Sequence, residues 1–216
     1  MHERDGVSVG EPSLTASNPG DPAAGGFVPW RYPTELEADV ATRDGSILRL
    51  RPIRPDDAEQ LVNFHGLLSF DSIYRRYFSM HPHLTPEEVE HYTRVDYVDR
   101  LALVIVEGDQ LVAVGRYDRY PSTSRAEVAF LVLDDHQNIG LGPSLLQHLA
   151  EAAWERGITE FTAETLATNR NMMAVFRSSG FPVTSHFEDG EISVSFSIEP
   201  TEESRRRRAD HQAGTV

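Results

Sequence analysis

Apolar and polar positions along this chain fall into two rhythms, one of period two and one of period 3.6. Strict alternation appears first in "SILRLRPI" (Ser46–Ile53), which reads as a half-buried strand. "RPDDAEQLVNFHGLL" then places Ala58, Leu61, Val62 and Phe64 at helical spacing, with Asp56 near its start. "DSIYRRYF" predicts a second helix. "LTPEEVEHY" carries a helix start: Thr85 as N-cap, Pro86 at the first position and Glu88 closing a capping box. "LALVIVE" and "QLVAVGRYDRY" are strands joined by a tight turn at Gly108–Asp109. "PSTS" turns the chain into a further strand, "RAEVAFLVL". A long helix is expected from about Gly142 to Arg156, stopped by Gly157. "EFTAETL" is a strand, "RNMMAVFRSSG" a helix ended by Gly180, and "VTSHFE", "DG" and "EISVSFSI" form a last hairpin. This order predicts an α/β (α+β) fold: a mixed, mostly antiparallel sheet of about seven strands flanked by helices, with one strand–helix–strand crossover.

The rhythms stop at both ends. Residues 1–34 are rich in Gly, Pro, Ser and Ala, cannot bury enough surface to offset their ordering entropy, and are expected to be a disordered tail. Phe27, Trp30 and Tyr32 are the side chains suited to pin its end to the body. Residues 200–216, with a run of four Arg, are expected to be a second, solvated tail. The folded domain is expected over 35–199.

Composition narrows the functions. The 216 residues contain no cysteine, hence no disulfide, no thiolate metal site and no Cys nucleophile. No run of ~18 apolar residues exists, so no membrane partner is expected. The N-terminus has neither a basic start nor an apolar core, so a secretory signal is not expected and a soluble, cytoplasmic protein is. The net charge is −14 and all 20 basic residues are Arg. Such a chain repels a phosphate backbone, which argues against nucleic acid, and its field favours cationic partners such as amines. His81 and His83 in "SMHPHL" lack an acidic or Cys partner at ligand spacing, so they read as loop residues and no metal is expected.

The stretch "HQNIGLG" (His136–Gly142) lies between a strand and the long helix. A helix N-terminus presents unpaired N–H groups and about half a positive charge, which suits a phosphate. Gly140 and Gly142 would let the backbone approach it without a Cβ in the way. Pro143 fits the first helical turn, and Gln137 could add a side-chain donor. A glycine-rich connection with no ligand fits the same residues.

The spacing Gln-x-x-Gly-x-Gly after a mid-chain antiparallel strand resembles the pyrophosphate-binding motif of the GNAT acyltransferase superfamily. "ETLATNRNMMAVFRSSGF" is similar to that superfamily's second half, with Gly180–Phe181 as its Gly-Phe pair. "EADVATRDGSILRLRPIRPDDAEQL", "SIYRRYF", "VDYVDRLALV", "AVGRYDR", "AEVAFLV" and "HFEDG" together resemble the GNAT domain of bacterial protein lysine acetyltransferases, of the type fused to an NDP-forming acyl-CoA synthetase-like domain. By that resemblance the present chain is the acetyltransferase module alone. Acetyl-CoA is the implied acyl donor. The implied acceptor is a protein with a reactive lysine, for instance an acyl-CoA synthetase. A small-molecule amine or amino acid, or a non-catalytic acyl-CoA-binding regulatory module, stays open. No motif encodes the acceptor or the oligomeric state.

The resemblance also assigns roles. Glu127 matches the general base that deprotonates the amine. Phe130, Leu131 and Val132 match positions whose backbone pairs with the pantetheine arm. Asn138, Ile139, Gly140, Leu141, Gly142 and Pro143 match the pyrophosphate turn, and Asn169 matches the Asn that ties the start of the following helix to the cofactor side; a plain helix cap fits Asn169 as well. Alternation puts Glu127 on one strand face with Ala129, Leu131 and Leu133, where a carboxylate is costly unless it is paired or near water. A Glu simply reaching solvent fits that pattern equally. Two departures stand out. Phe176 occupies the position of a Tyr that serves as acid for the CoA thiolate, so the thiolate is expected to leave unprotonated or to take its proton from water. Asn138–Ile139 replaces a commoner Gly-Arg pair, which removes a phosphate-pairing cation.

Overall fold

In a computed structural model, which describes residues 31–206, the alternating segments assemble into one eight-stranded sheet of order β1-β2-β3-β4-β5-β6-β8-β7. The strands are β1 (Ala38–Ala41), β2 (Ile47–Pro52), β3 (Arg100–Glu107), β4 (Gln110–Arg119), β5 (Arg125–Val132), β6 (Glu160–Leu166), β7 (Val183–Glu188) and β8 (Glu191–Ser197). Every neighbouring pair is antiparallel except β5 and β6. That one parallel pair requires the crossover helix α4 (Leu141–Glu155) between its strands.

The remaining helices are α1 (Ala58–Leu67), α2 (Phe70–Tyr77), α3 (Pro86–Thr93) and α5 (Arg170–Arg177). The capping box of α3 forms as expected: Thr85 Oγ1 accepts from Glu88 N at 3.2 Å, and Glu88 accepts from Thr85 N at 2.8 Å. α4 packs on the sheet face that carries Gly115, whose missing Cβ leaves room for Leu149 at 3.0 Å. Leu141, Leu145, Leu146 and Leu149 of α4 are buried there, each worth roughly 1.5–3 kcal/mol of hydrophobic stabilisation. α1 and α2 cover the opposite face.

Two features depart from the sequence reading, and a third, Tyr32, meets the pinning role expected of it. β1 is an eighth strand, held to β2 by a turn in which Asp44 accepts from Thr42 Oγ1 (2.5 Å) and Ser46 N (3.0 Å). Tyr32 belongs to the body: its hydroxyl donates to Glu37 (3.0 Å) and to Pro52 O (3.2 Å), and its ring stands edge-on to Tyr97. Residues 202–206 form a helical turn, with Ser204 buried and Thr201 Oγ1 donating to Gly180 O at 2.9 Å, so packing continues past 199. Phe27 and Trp30, with all of residues 1–30 and 207–216, lie outside the described residues.

Candidate active site

The parallel pair is joined over only Arg125–Glu127 and Glu160–Thr162, although β5 runs on to Val132. Beyond Glu127 the two strands separate. Main-chain bonds at both ends of the β4–β5 ladder, Tyr120 N to Arg125 O and Leu133 N to Val112 O, fix which groups face the opening. Odd-numbered residues of β5 bond to β4. The N–H and C=O groups of Val128, Phe130 and Val132 therefore turn to the β6 side, where no strand meets them. Buried backbone groups need partners, and along this edge no strand supplies them. The expected trio is corrected here: Phe130 and Val132 offer backbone to the opening, whereas Leu131 bonds to β4 and offers only its side chain.

A cavity of about 340 Å³ fills the opening, a size at the low end for small-molecule sites. The glycine turn lies at one end. Gly140 has φ +102° and Asn138 φ +65°, left-handed geometry that Gly and Asn adopt most readily. Ser144 N closes the first helical bond to Gly140 O at 3.2 Å, and Pro143 has no N–H. The N–H groups of Leu141 and Gly142 are left at the helix start for a ligand. Gly142 has a second reason to be glycine, because a Cβ there would meet Val175 Cγ2 of α5 at 3.1 Å.

Three expected contributors are used otherwise. Gln137 donates through Nε2 to Ser72 Oγ and to Val132 O, both at 3.3 Å, so its donor is spent inside the protein. Ser72 and Ser69 in turn donate to Asp134: Ser69 N at 2.8 Å, Ser69 Oγ at 2.7 Å and Ser72 Oγ at 2.8 Å. Burial acts to raise the Asp134 pKa, but these hydrogen bonds prevail and hold it below the usual carboxylate range. This knot pins the start of α2 to the end of β5. Ile139 does not line the cavity; it packs on the core, and its carbonyl accepts from Arg43 N at 3.0 Å. Asn169 lines the cavity, but its Oδ1 accepts from Met172 N at 3.1 Å, which makes it the N-cap of α5.

Arg43, on the turn between β1 and β2, supplies what Asn138–Ile139 lack. Its Nη1 donates to Asn138 O at 3.3 Å and its side chain lines the cavity, so a cation does stand beside the glycine turn. Nothing in its local sequence marks it. His136 also lines this end. Burial disfavours its charge, but Asp135 at 2.6 Å and Glu107 at 3.3 Å outweigh that and raise its pKa above the ordinary histidine value.

Glu127 lies at the other end of the same cavity, opposite Asp118 on β4 and Thr162 on β6. It is solvent-exposed, while Ala126, Val128 and Phe130 point into the core. Its face of β5 is thus half open, and water removes the desolvation cost that the alternation implied. Thr165 Oγ1 lines the cavity, buried and with no hydrogen-bond partner, a polar atom left for a ligand. Phe176 is buried beside Phe130 and Phe196. His81 does have an acidic partner, Glu88 at 3.1 Å, and it stacks on Tyr77. Among the described residues no three His, Cys, Asp or Glu side chains converge as a metal site.

A sheet opened at its single parallel pair, with a glycine-turn helix start below and a carboxylate above, defines the acyltransferase class of fold. The chain belongs to the acetyltransferase (GNAT) family, whose model matches residues 67–181, more than half of it. It is similar to the GNAT domain of S. lividans PAT, with 42% identity and a TM-score of 0.73, over 77% of this chain and 99% of that one. It is 33% identical to acetyltransferase Pat of Mycolicibacterium smegmatis over 65% of this chain, but spans only 43% of that relative's length. The structure of yncA from Salmonella typhimurium with its cofactor acetyl-CoA shares the fold at 16% identity and a TM-score of 0.57, over 72% of this chain and 96% of that one. No helix among the described residues is long and apolar enough to cross a membrane.

Proposed function

We propose that this protein transfers an acetyl group from acetyl-CoA directly to an amine, with a protein lysine as acceptor and Glu127 as general base. The observation that carries the reading is that one cavity joins Glu127 to the phosphate-type turn along the unpaired edge of β5. Leu141 N–H, Gly142 N–H and Arg43 suit a pyrophosphate. The N–H and C=O of Phe130 and the N–H of Val132 suit the amides of a pantetheine arm, while Val132 O already accepts from Gln137 Nε2; one N–H there would polarise the thioester carbonyl. Glu127 takes the ammonium proton so that the nitrogen lone pair is free to attack. Phe176 offers no proton, so the leaving thiolate takes one from water. The donor reading is supported by the fold neighbour solved with acetyl-CoA. The lysine reading rests on the resemblance to bacterial protein lysine acetyltransferases. A cytoplasmic setting goes with both.

Glu127→Gln tests the assignment. It keeps shape and removes the proton acceptor, so turnover at neutral pH should fall about 10²–10⁴-fold with acetyl-CoA affinity nearly unchanged. The deficit should shrink as pH rises, because more of the amine is then free without help (an unperturbed Lys titrates near ~10.4). Unchanged turnover would remove Glu127 from the mechanism. Labelled acetyl-CoA added to lysate should place label in protein rather than in small amines. The chain has no lysine of its own to take that label on a side chain.

A further inference from the structure

A second, smaller cavity of about 20 Å³ adjoins the first, walled in common by Ala129, Phe130, Leu131 and Arg76. That is room for a water-sized group or little more. Arg116 of β4 lines it from the sheet, in register with Ala129 and so on the same face as Glu127. Its guanidinium lies 3.7 Å from the centre of the Tyr92 ring, while Arg76 leans over Tyr77. Neither Arg116 nor Arg76 has an acidic partner or a hydrogen bond among the described residues. The nearest candidate, Asp118, is held by Arg100 at 3.4 Å. Burial and the like charge of Arg76 work against the charge on Arg116 and outweigh the attraction of Asp118.

Two neighbouring cations with no ion pair of their own, in a chain of net charge −14, are a cost that an anion would reduce. Given the acyl-transfer reading, on which this inference rests, we propose that Arg76 and Arg116 form a subsite for a small carboxylate carried by one of the two reacting partners. The carboxylate would end either a short dicarboxylic acyl group, taken in place of acetyl, or an amino-acid acceptor, taken in place of a protein lysine, so the subsite rests on acyl transfer to an amine and replaces one of those two finer assignments. The 20 Å³ space holds about one oxygen, so the carboxylate would sit in the first cavity and reach in with that oxygen, its planar shape matching the guanidinium fork.

The test has a donor arm and an acceptor arm. In the first, calorimetry gives Kd for malonyl-CoA, succinyl-CoA and acetyl-CoA. In the second, CoA release from acetyl-CoA is followed with lysine and β-alanine, each against its carboxamide. The expected result is a preference for the carboxylate in one arm of roughly ten- to hundredfold, the size of one charge-assisted hydrogen bond. Both Arg116→Gln and Arg76→Gln should bring that ratio toward one, and the arm that responds names the partner bearing the group. No preference in either arm, or one that both variants retain, overturns the subsite. If Arg116 serves only to stack on Tyr92, Arg116→Gln will lower Tm and leave the ratio alone, which overturns it too. A parent protein that binds none of the thioesters would sink the transferase reading itself, and this subsite with it.

Discussion

Gly140 offers the sharpest separation of backbone from charge effects at the turn. Its φ of +102° is unfavourable for any residue with a Cβ, yet the space beside it is open, the nearest atom being Arg43 Cγ at 4.0 Å. Gly140→Ala therefore adds backbone strain alone, about 1–2 kcal/mol. In a domain of this size that lowers Tm by roughly 2–8 °C. Gly140→Asp adds the same strain and a carboxylate at the helix start. At about 5 Å and an effective dielectric near 20, repulsion from one phosphate charge is about 3 kcal/mol, over a hundredfold in Kd. Arg43 would screen part of the new charge, so this is an upper value. The assay is thermal unfolding with and without acetyl-CoA. At a hundred times Kd the ligand should stabilise the parent by about 2.7 kcal/mol, or roughly 5–11 °C. Gly140→Ala should start lower but keep that increment. Gly140→Asp should start no lower than Gly140→Ala, because its carboxylate faces the helix start and Arg43, yet lose most of the increment at the same ligand concentration. A Gly140→Asp protein stabilised as much as the parent would place the phosphate site elsewhere.

Two further outcomes follow from local geometry. Gly180 has φ +81°, and a Cβ there would sit 2.8 Å from Glu203 Cγ and 2.9 Å from Ser204 N; Gly180→Ala should displace residues 202–206 and cost about 2–3 kcal/mol, and proteolysis that cuts no faster after 200 in the variant than in the parent would refute this packing. His136 has a raised folded-state pKa, so its stabilisation is fully present below the ordinary histidine value and is lost as pH rises through the folded value; its partners are surface carboxylates, so His136→Gln should cost only about 0.5–1 kcal/mol near pH ~5.5 and almost nothing near pH ~9, and a pH-independent cost in denaturant titrations would contradict it.

Which parts of this molecule the sequence displays depends on how far apart the cooperating residues are. The capping box at Thr85–Glu88 and the turn at Gly140 are local devices, and each is written in a few adjacent positions. β1 is four residues long, too short for a period to show, and exists because β2 offers it a ladder. The split between β5 and β6 leaves no mark in either strand, and the facing of Phe130, Leu131 and Val132 is decided by pairing with β4. Gln137 and Asn169 were visible as polar side chains near a phosphate turn. Their partners, Val132 O and Met172 N, lie five and three residues away, and those short-range bonds consume the groups a ligand would otherwise use. The cations show the reverse. Arg43 reaches Asn138 across 95 positions, and Arg76 meets Arg116 only because α2 packs over β5, the neighbour of β4. The positive charge of this site is therefore absent from its motif and is delivered by topology. A loss of cationic residues within "HQNIGLG" is no measure of how well the cleft holds an anion.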